Sequence, residues 1–491
     1  MIPRTIFHRA PRFILLCTIF PLFLQAQSPN IILILADDQG WNGTSVQVDT
    51  NEAQSASDYY HTPQLERLAA EGMTFSRAYA PSPKCSPSRA SILSGYTTAK
   101  TGVTETGATV ATDSLLLDVL TLSGLDANFT VYPELLKSLS TPYMTAHFGK
   151  WHLDSSGPSA HGFERSDGNT TNLASQGSST QPDPKKIFSI TDSAFAVITD
   201  ATDANQPFYL HLSHYAVHTP LESTQASLSM FGDTLAHPPG TIHSDSLYAG
   251  MTFDLDSAVG LLLDTLSALG IANNTYVIYT SDNGGARGQS NNAPLTRGKT
   301  FLSEGGLRVP MFVKGPGIPA GSRSDVPVVG YDFYPTVIEW ATGSTNLVPA
   351  DVEGGSLKAL LEATGSVTRA NGLVFHSPHY SDSSTKRPRS ALIRDDYKLY
   401  IDYDAGTFSL FDVEQDLREN SDLAAQLPEV VDSLCLELRD HLKSVNAQMP
   451  TLNPGHPTNL GSSPDADKDG LDDDWEFSEM LTHLYGAADD P

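Results

Sequence analysis

The sequence predicts an α/β protein with a mixed, mostly parallel central sheet flanked by helices, and a small C-terminal α+β subdomain with an antiparallel sheet. Three observations carry this. Residues 29–36 (PNIILILA) form a continuous apolar, β-rich run that ends abruptly in Asp37-Asp38-Gln39-Gly40. Residues 276–280 (YVIYT) repeat that pattern and end in Ser281-Asp282-Asn283-Gly284-Gly285. Such runs mark strands buried on both faces of a parallel sheet, and helical segments lie between them, as in α/β architectures. From about residue 370 the pattern shifts to short strand-like pieces and one closing helix.

Arg4, Arg9 and Arg12, followed by an apolar run over 13–24, read as a secretory signal peptide within residues 1–27, with cleavage near Ala26. The run is too short for a comfortable membrane span, and no later stretch reaches 18 apolar residues. A secreted or periplasmic protein with no membrane span is expected. The 62–72 segment is a helix, with Thr62 as N-cap, Pro63 at its first position and Gly72 at its stop. A second helix is expected over 88–94, ending at Gly95, with Pro87 suited to its first turn. Residues 208–213 form another strand. Leu247, Met251, Leu255, Ala258, Val259, Leu262, Leu263 and Leu266 then make one stripe of a long helix.

These elements place a main α/β domain at 28–365. The C-terminal subdomain, 366–449, holds strands at 372–376, 390–394, 397–401 and 409–412 and a helix at 428–446. A Pro-, Gly-, Ser- and Asn-rich linker at 450–464 leads to an acidic tail at 465–491.

With 491 residues and 40% hydrophobic composition, the chain can bury a large core. Its formal charge of −27 argues against nucleic-acid binding through a general field. It also requires any pocket for an anionic substrate to be locally basic, or screened by metal and salt. Cys85 and Cys435 are the cysteines left after signal removal, and no disulfide is expected between them.

The chemistry gathers at the ends of the strands. Ligands of open α/β sheets collect at the carboxyl ends of strands, where Asp37, Asp38, Asp282 and Asn283 would converge. Oxygen ligands without His or Cys suit calcium or magnesium, although Asp, Asn and Gly are also ordinary turn residues. Lys150 and His152, two apart in Phe148-Gly149-Lys150-Trp151-His152, face one side if that segment is extended. His218 stands at the exit of the 208–213 strand. The segment 297–310, with Lys299, reads either as a basic site loop or as a solvated surface turn.

Cys85-Ser86-Pro87-Ser88-Arg89, running into Ala90-Ser91-Ile92-Leu93-Ser94-Gly95, resembles the signature of the formylglycine-dependent, type I sulfatases of the alkaline phosphatase superfamily. The resemblance extends over about residues 29–445 with its segments in order. It implies an alkaline-phosphatase-like fold and sulfate ester hydrolysis (a sulfuric ester hydrolase), with a sulfated carbohydrate as the expected substrate. Cys85 would be oxidised to formylglycine by a maturation enzyme. Asp37, Asp38, Asp282 and Asn283, with residue 85, would hold a catalytic calcium. Lys150 and Lys299 would grip the sulfate, His218 with Lys299 would protonate the departing alcohol, and His152 would take a proton from the aldehyde hydrate. Arg89 would orient that hydrate. Asp154, where many members have glycine, and Thr296-Arg297-Gly298 depart from the family pattern. A phosphonate or phosphate ester hydrolase of the same superfamily is the alternative, and a non-catalytic carbohydrate binder is a third reading.

The tail carries a separate pattern. Asp465, Asp467, Asp469, Leu471, Asp473 and Glu476 fall at positions one, three, five, seven, nine and twelve of a calcium loop, with Gly470 at its sharp turn. A second, structural or docking calcium is expected there.

Overall fold

The computed structural model describes residues 28–453, apart from 108–114, 118, 123, 175–176 and 381–386. The N-terminal apolar run and the tail loop at 465–476 lie outside the described residues. The main sheet is built from β1 (Asn30–Ala36), β2 (Met73–Phe75), β3 (Met144–Gly149), β4 (Arg165–Ser166), β5 (Phe208–Ser213), β6 (Thr275–Ser281), β7 (Phe312–Lys314) and β8 (Ser322–Ser324). Their spatial order is β8-β2-β7-β6-β1-β5-β3-β4. β1 lies between β5 and β6 and runs parallel to both, pairing Ile31 with Tyr209 and with Tyr276. Only β7 runs against its neighbours, β2 and β6.

The main helices are α1 (Pro63–Glu71), α2 (Cys85–Ser94), α3 (Tyr132–Ser138), α4 (Ile187–Asp203), α5 (Gln225–Gly232), α6 (Ser246–Ala268) and α7 (Phe333–Thr342). Strand alternation divides the core into two layers. Ile32 and Ile34 pack with Leu65, Leu68, Ile190 and Met251 on one face; Ile31, Leu33 and Leu35 pack with Ile92, Tyr132 and Ile338 on the other. That is why β1 is apolar at every position from Ile31 to Ala36. Burying each such side chain contributes roughly 1.5–3 kcal/mol.

Two helix expectations are corrected. α2 starts at Cys85, three residues earlier than the pattern implies, so residue 85 is its first residue. Thr62 does not cap α1 with its side chain, because its hydroxyl pairs with Ser45. Instead the Asp256 carboxylate of α6 accepts the N–H groups of Gln64 and Leu65, at 3.0 and 2.8 Å. The α6 stripe is buried as expected from Met251 onward, with Leu247 half-buried.

β9 (Leu373–Ser377), β10 (Arg389–Arg394), β11 (Tyr397–Asp402) and β12 (Thr407–Asp412) form an antiparallel four-stranded sheet in chain order. α8 (Pro428–Ser444) covers one face through Leu434, Cys435, Leu438 and Leu442. A buried ionic network ties this sheet to the main domain. Lys398 of β11 reaches Glu304 at 2.9 Å and Glu419 at 3.0 Å, while Glu304 also holds Arg308 at 2.5 Å. No described helix is long and apolar enough to cross a membrane.

Candidate active site

Asp37 and Asp38 follow directly on β1, and Asp282 and Asn283 on β6, so the parallel pairing of these strands sets the two carboxylate-bearing turns side by side. The Asp38 N–H donates to an Asp282 carboxylate oxygen at 3.1 Å, and Asp38 itself takes a left-handed backbone (φ 63°). α2 points its N-terminus at them. Cys85 Sγ lies 3.6 Å from Asp37 Oδ1 and 3.9 Å from Asp38 Oδ1. Ligand-capable atoms of Asp37, Asp38, Cys85 and Asp282 all lie within 4.8 Å of one another.

Three cations face these three carboxylates. Lys150 Nζ is 2.7 Å from Asp37, Lys299 Nζ is 2.6 Å from Asp38, and Arg89 donates to Asp282 at 2.7 and 3.0 Å. Arg89 also donates to the Lys150 carbonyl at 2.7 Å and to Ser213 Oγ, so one guanidinium ties together the carboxyl ends of β3, β5 and β6. Burial opposes ionisation of Asp37, yet Lys150, partly offset by Asp38 and aided by Arg89, holds its carboxyl below the usual range. Burial, then the charges of Asp282 and Asp37, push the Cys85 thiol far up. As a bare cysteine, residue 85 is a neutral thiol and a poor nucleophile.

Asn283 donates its amide nitrogen to Asp38 Oδ1 at 2.8 Å, while its buried Oδ1 has no partner among the described residues. An orphaned oxygen beside three carboxylates fits a hard divalent cation such as calcium, which takes oxygen ligands.

His152 and His218 complete the pocket. The backbone at His152 is left-handed (φ 55°), so the Lys150–His152 segment is not extended as the sequence pattern supposed. His152 nonetheless belongs to the same pocket. Burial, then the neighbouring charges of Lys150 and Arg89, lower it to about 3, and its Nδ1 is buried without a partner. His218 Nδ1 donates to the Thr219 carbonyl at 2.6 Å, leaving Nε2 directed at Asp38, 3.7 Å away.

The Glu304–Arg308 segment is buried, not a solvated turn. Its glycines are needed there, because a Cβ on Gly306 would fall 2.0 Å from the Phe301 carbonyl oxygen and one on Gly305 2.6 Å from that of Thr296; Gly284 packs against the same segment, where its own Cβ would fall 2.0 Å from the Gly305 carbonyl oxygen. Asp154 organises its own loop, accepting from the Ser156 and Gly157 N–H groups and pairing with His161 at 2.8 Å.

Lys185 escaped the sequence reading. It is fully buried and its Nζ has no hydrogen-bond partner among the described residues; burial, with Glu222 and Asp37 acting against it, lowers it to about 8. Lys185-Lys186 reads as an ordinary exposed basic pair, so nothing local in the sequence signals this.

The sulfatase family model matches residues 29–344, and the model for the C-terminal part of N-sulphoglucosamine sulphohydrolase matches residues 297–448. A sulfatase of Formosa agariphila is 29% identical over 480 residues, covering 82% of this chain and 85% of that protein. N-acetylgalactosamine-6-sulfatase of Mus musculus is 31% identical over 333 residues, 61% of this chain and 59% of the mouse enzyme. Among solved structures, Ps i-CgsB is 25% identical with a TM-score of 0.70, covering 85% of this chain and 93% of that one. The same similarity holds for its complex with k-i-k-neocarrahexaose, at a TM-score of 0.69. The family model spans well over half of the chain and takes in both aspartate-bearing turns, the cysteine and both lysines, so the chain belongs to the sulfatase family and is a sulfuric ester hydrolase.

Proposed function

We propose that the chain is an exported sulfatase that removes sulfate esters from a sulfated carbohydrate, with formylglycine formed from Cys85 and a calcium held by Asp37, Asp38, Asp282 and Asn283. The observation carrying this is the ring of three carboxylates and three cations around a buried, unionised residue 85 at the head of α2. A thiol so placed is a poor nucleophile, whereas an aldehyde hydrate needs no thiolate. When present, the aldehyde hydrate supplies the attacking hydroxyl and the calcium supplies charge neutralisation at the sulfate oxygens.

The chain's own residues do the rest. Lys150 and Lys299, already held by the carboxylates, offset the negative charge of the ester that would repel a nucleophile. Arg89 fixes the hydrate through its ties to Asp282 and Lys150. His218 presents Nε2 to the departing oxygen and, with Lys299, passes it a proton. His152, kept neutral by burial and by the nearby charges of Lys150 and Arg89, has a ring nitrogen without a partner among the described residues that can accept the proton leaving residue 85 as sulfate departs. The carbohydrate reading is supported by the relatives, whose names include an N-acetylgalactosamine-6-sulfatase, and by the neocarrahexaose complex of Ps i-CgsB. Export is supported by the arginines and apolar run of residues 4–24. The loop from Asp465 to Glu476 would take a second calcium.

The test is the mass of the peptide carrying residue 85 from active secreted protein, with turnover on sulfate, phosphate and phosphonate esters before and after calcium removal. An aldehyde at residue 85 and calcium-dependent cleavage of sulfate esters are expected. Full activity from an untouched thiol, or preference for phosphonates, would sink the proposal.

A further inference from the structure

Arg297 has a left-handed backbone (φ 62°), which glycine adopts freely and which costs a larger residue on the order of 1 kcal/mol. Its side chain is exposed and lies with its guanidinium carbon 4.7 Å from the centre of the Phe301 ring. Arg287 lies 5.7 Å from the centre of the same ring. Two guanidiniums sharing one ring repel each other, so the arrangement calls for an anion.

No carboxylate among the described residues is paired with either guanidinium. Arg287 and Arg297 line a cavity of about 560 Å³ together with Tyr60, His243, Asp245 and Asn292. Arg297 also lines an adjoining cavity of about 260 Å³ with Phe301, Arg389, Asp402 and Glu419. The carboxylates of both cavities are engaged elsewhere. Asp245 caps α6 through the N–H groups of Leu247 and Tyr248; Asp402 holds Arg389 at 2.6 Å; Glu419 holds Lys398 at 3.0 Å. Neither Arg287 nor Arg297 makes an ion pair with a described carboxylate. In a chain of formal charge −27, this is a local reversal of sign.

The placement ties the pair to the reaction centre. Arg297 is two residues before Lys299, within about 7 Å along the chain, and Arg287 is four residues after Asn283. The loops carrying them are joined by the Lys299 N–H donating to the Gly285 carbonyl at 3.0 Å. A Cβ on Gly298 would touch Arg287 Cγ at 3.1 Å.

We propose that Arg287 and Arg297 form a second anion subsite, beside the scissile position, that takes another sulfate group of a multiply sulfated glycan. Guanidinium groups match the oxygens of such a group in bidentate fashion. The subsite selects polyanionic chains over singly sulfated ones and rests on the proposed reading of the substrate.

The experiment uses full-length protein and a size-defined dextran sulfate tetrasaccharide, with neutral dextran as control. Binding is followed by calorimetry at several salt concentrations, and turnover on a small aryl sulfate is followed separately. Arg297→Gly suits the left-handed backbone and should fold at least as well as the parent; Arg287→Gln is the second variant. The double variant is expected to bind the dextran sulfate about tenfold or more weakly with a shallower salt dependence, while aryl sulfate turnover stays within about twofold. Unchanged affinity and salt dependence, or an equal fall in aryl sulfate turnover, would overturn the subsite. Failure of the parent to cleave any sulfate ester would count against the proposed function and leave the binding result to stand.

Discussion

Asn283 spends its amide nitrogen on Asp38, at 2.8 Å, and keeps its carbonyl oxygen buried with no partner among the described residues. The nitrogen fixes the side chain so that the oxygen is presented, not free to rotate away. If that oxygen serves a cation, Asn283→Ala should lower calcium affinity by about tenfold or more. Calcium should raise the melting temperature of the parent and do so much less for the variant. Equal calcium responses would mean that the oxygen faces no ion.

Residue 85 gives a chemical prediction. Produced without its maturation enzyme, the protein should fold and retain a Cys85 thiol that resists alkylation at about pH 8 until unfolded, because burial, Asp282 and Asp37 suppress the thiolate. Turnover should fall at least about a thousandfold, as expected when the nucleophile itself is missing. Rapid alkylation of the native protein would contradict the buried setting of Cys85.

Much of this architecture is legible in the sequence because its signals are local. β1 from Ile31 to Ala36 and β6 from Tyr276 to Tyr279 are apolar runs with polar ends, and a buried parallel strand imposes that pattern on its own residues. Asp37, Asp38, Asp282 and Asn283 stand in those ends, and Cys85 to Gly95 is one contiguous stretch. What escaped is decided by distant partners. Thr62 has the right residue type for a cap, yet Asp256, far along the chain, does the capping. Lys185 looks solvated until the fold closes over it. The segment with Glu304 and Arg308 stays open in the sequence between a site loop and a surface turn, because Lys398, which buries with them, lies on a strand of the other sheet. The left-handed backbone of His152 carries no signal in its residue type.

Acid should destabilise the fold. Burial lowers His147 to about 3 and His214 and His376 to about 4. Above about pH 6.5 both folded and unfolded chains hold these rings neutral, and their contribution is fully present. As pH falls below 6.5 the unfolded chain takes up protons that the fold refuses, so stability is lost. Asp256 acts in the opposite sense, since burial raises it to about 7 and its penalty fades on acidification. Three histidines outweigh one carboxylate, leaving a net loss of a few kcal/mol between about pH 7.5 and 4.5. Urea midpoints across that range should show it, and His376→Gln should flatten the slope. A protein more stable at pH 4.5 than at 7.5 would refute this reading.

The buried ionic network makes the last prediction. Lys398 and Glu304 are both fully buried, and Glu419 shares the same ammonium. Glu304 keeps Arg308 and the Tyr79 hydroxyl whatever happens to Lys398, but Glu419 retains only neutral donors such as the Tyr400 hydroxyl, at 2.9 Å. Lys398→Met should therefore cost about 3–5 kcal/mol, mostly by stranding the Glu419 charge. The double variant Lys398→Met with Glu419→Gln, which removes that charge, should recover a substantial part of the loss. The Glu304 segment packs against Gly284, beside Asp282 and Asn283, so the single variant should also lose turnover on a small aryl sulfate and the double variant should regain some of it. Chemical denaturation of the two variants separates the cases: equal destabilisation in both would show that the lost ammonium, not the stranded carboxylate, dominates the network.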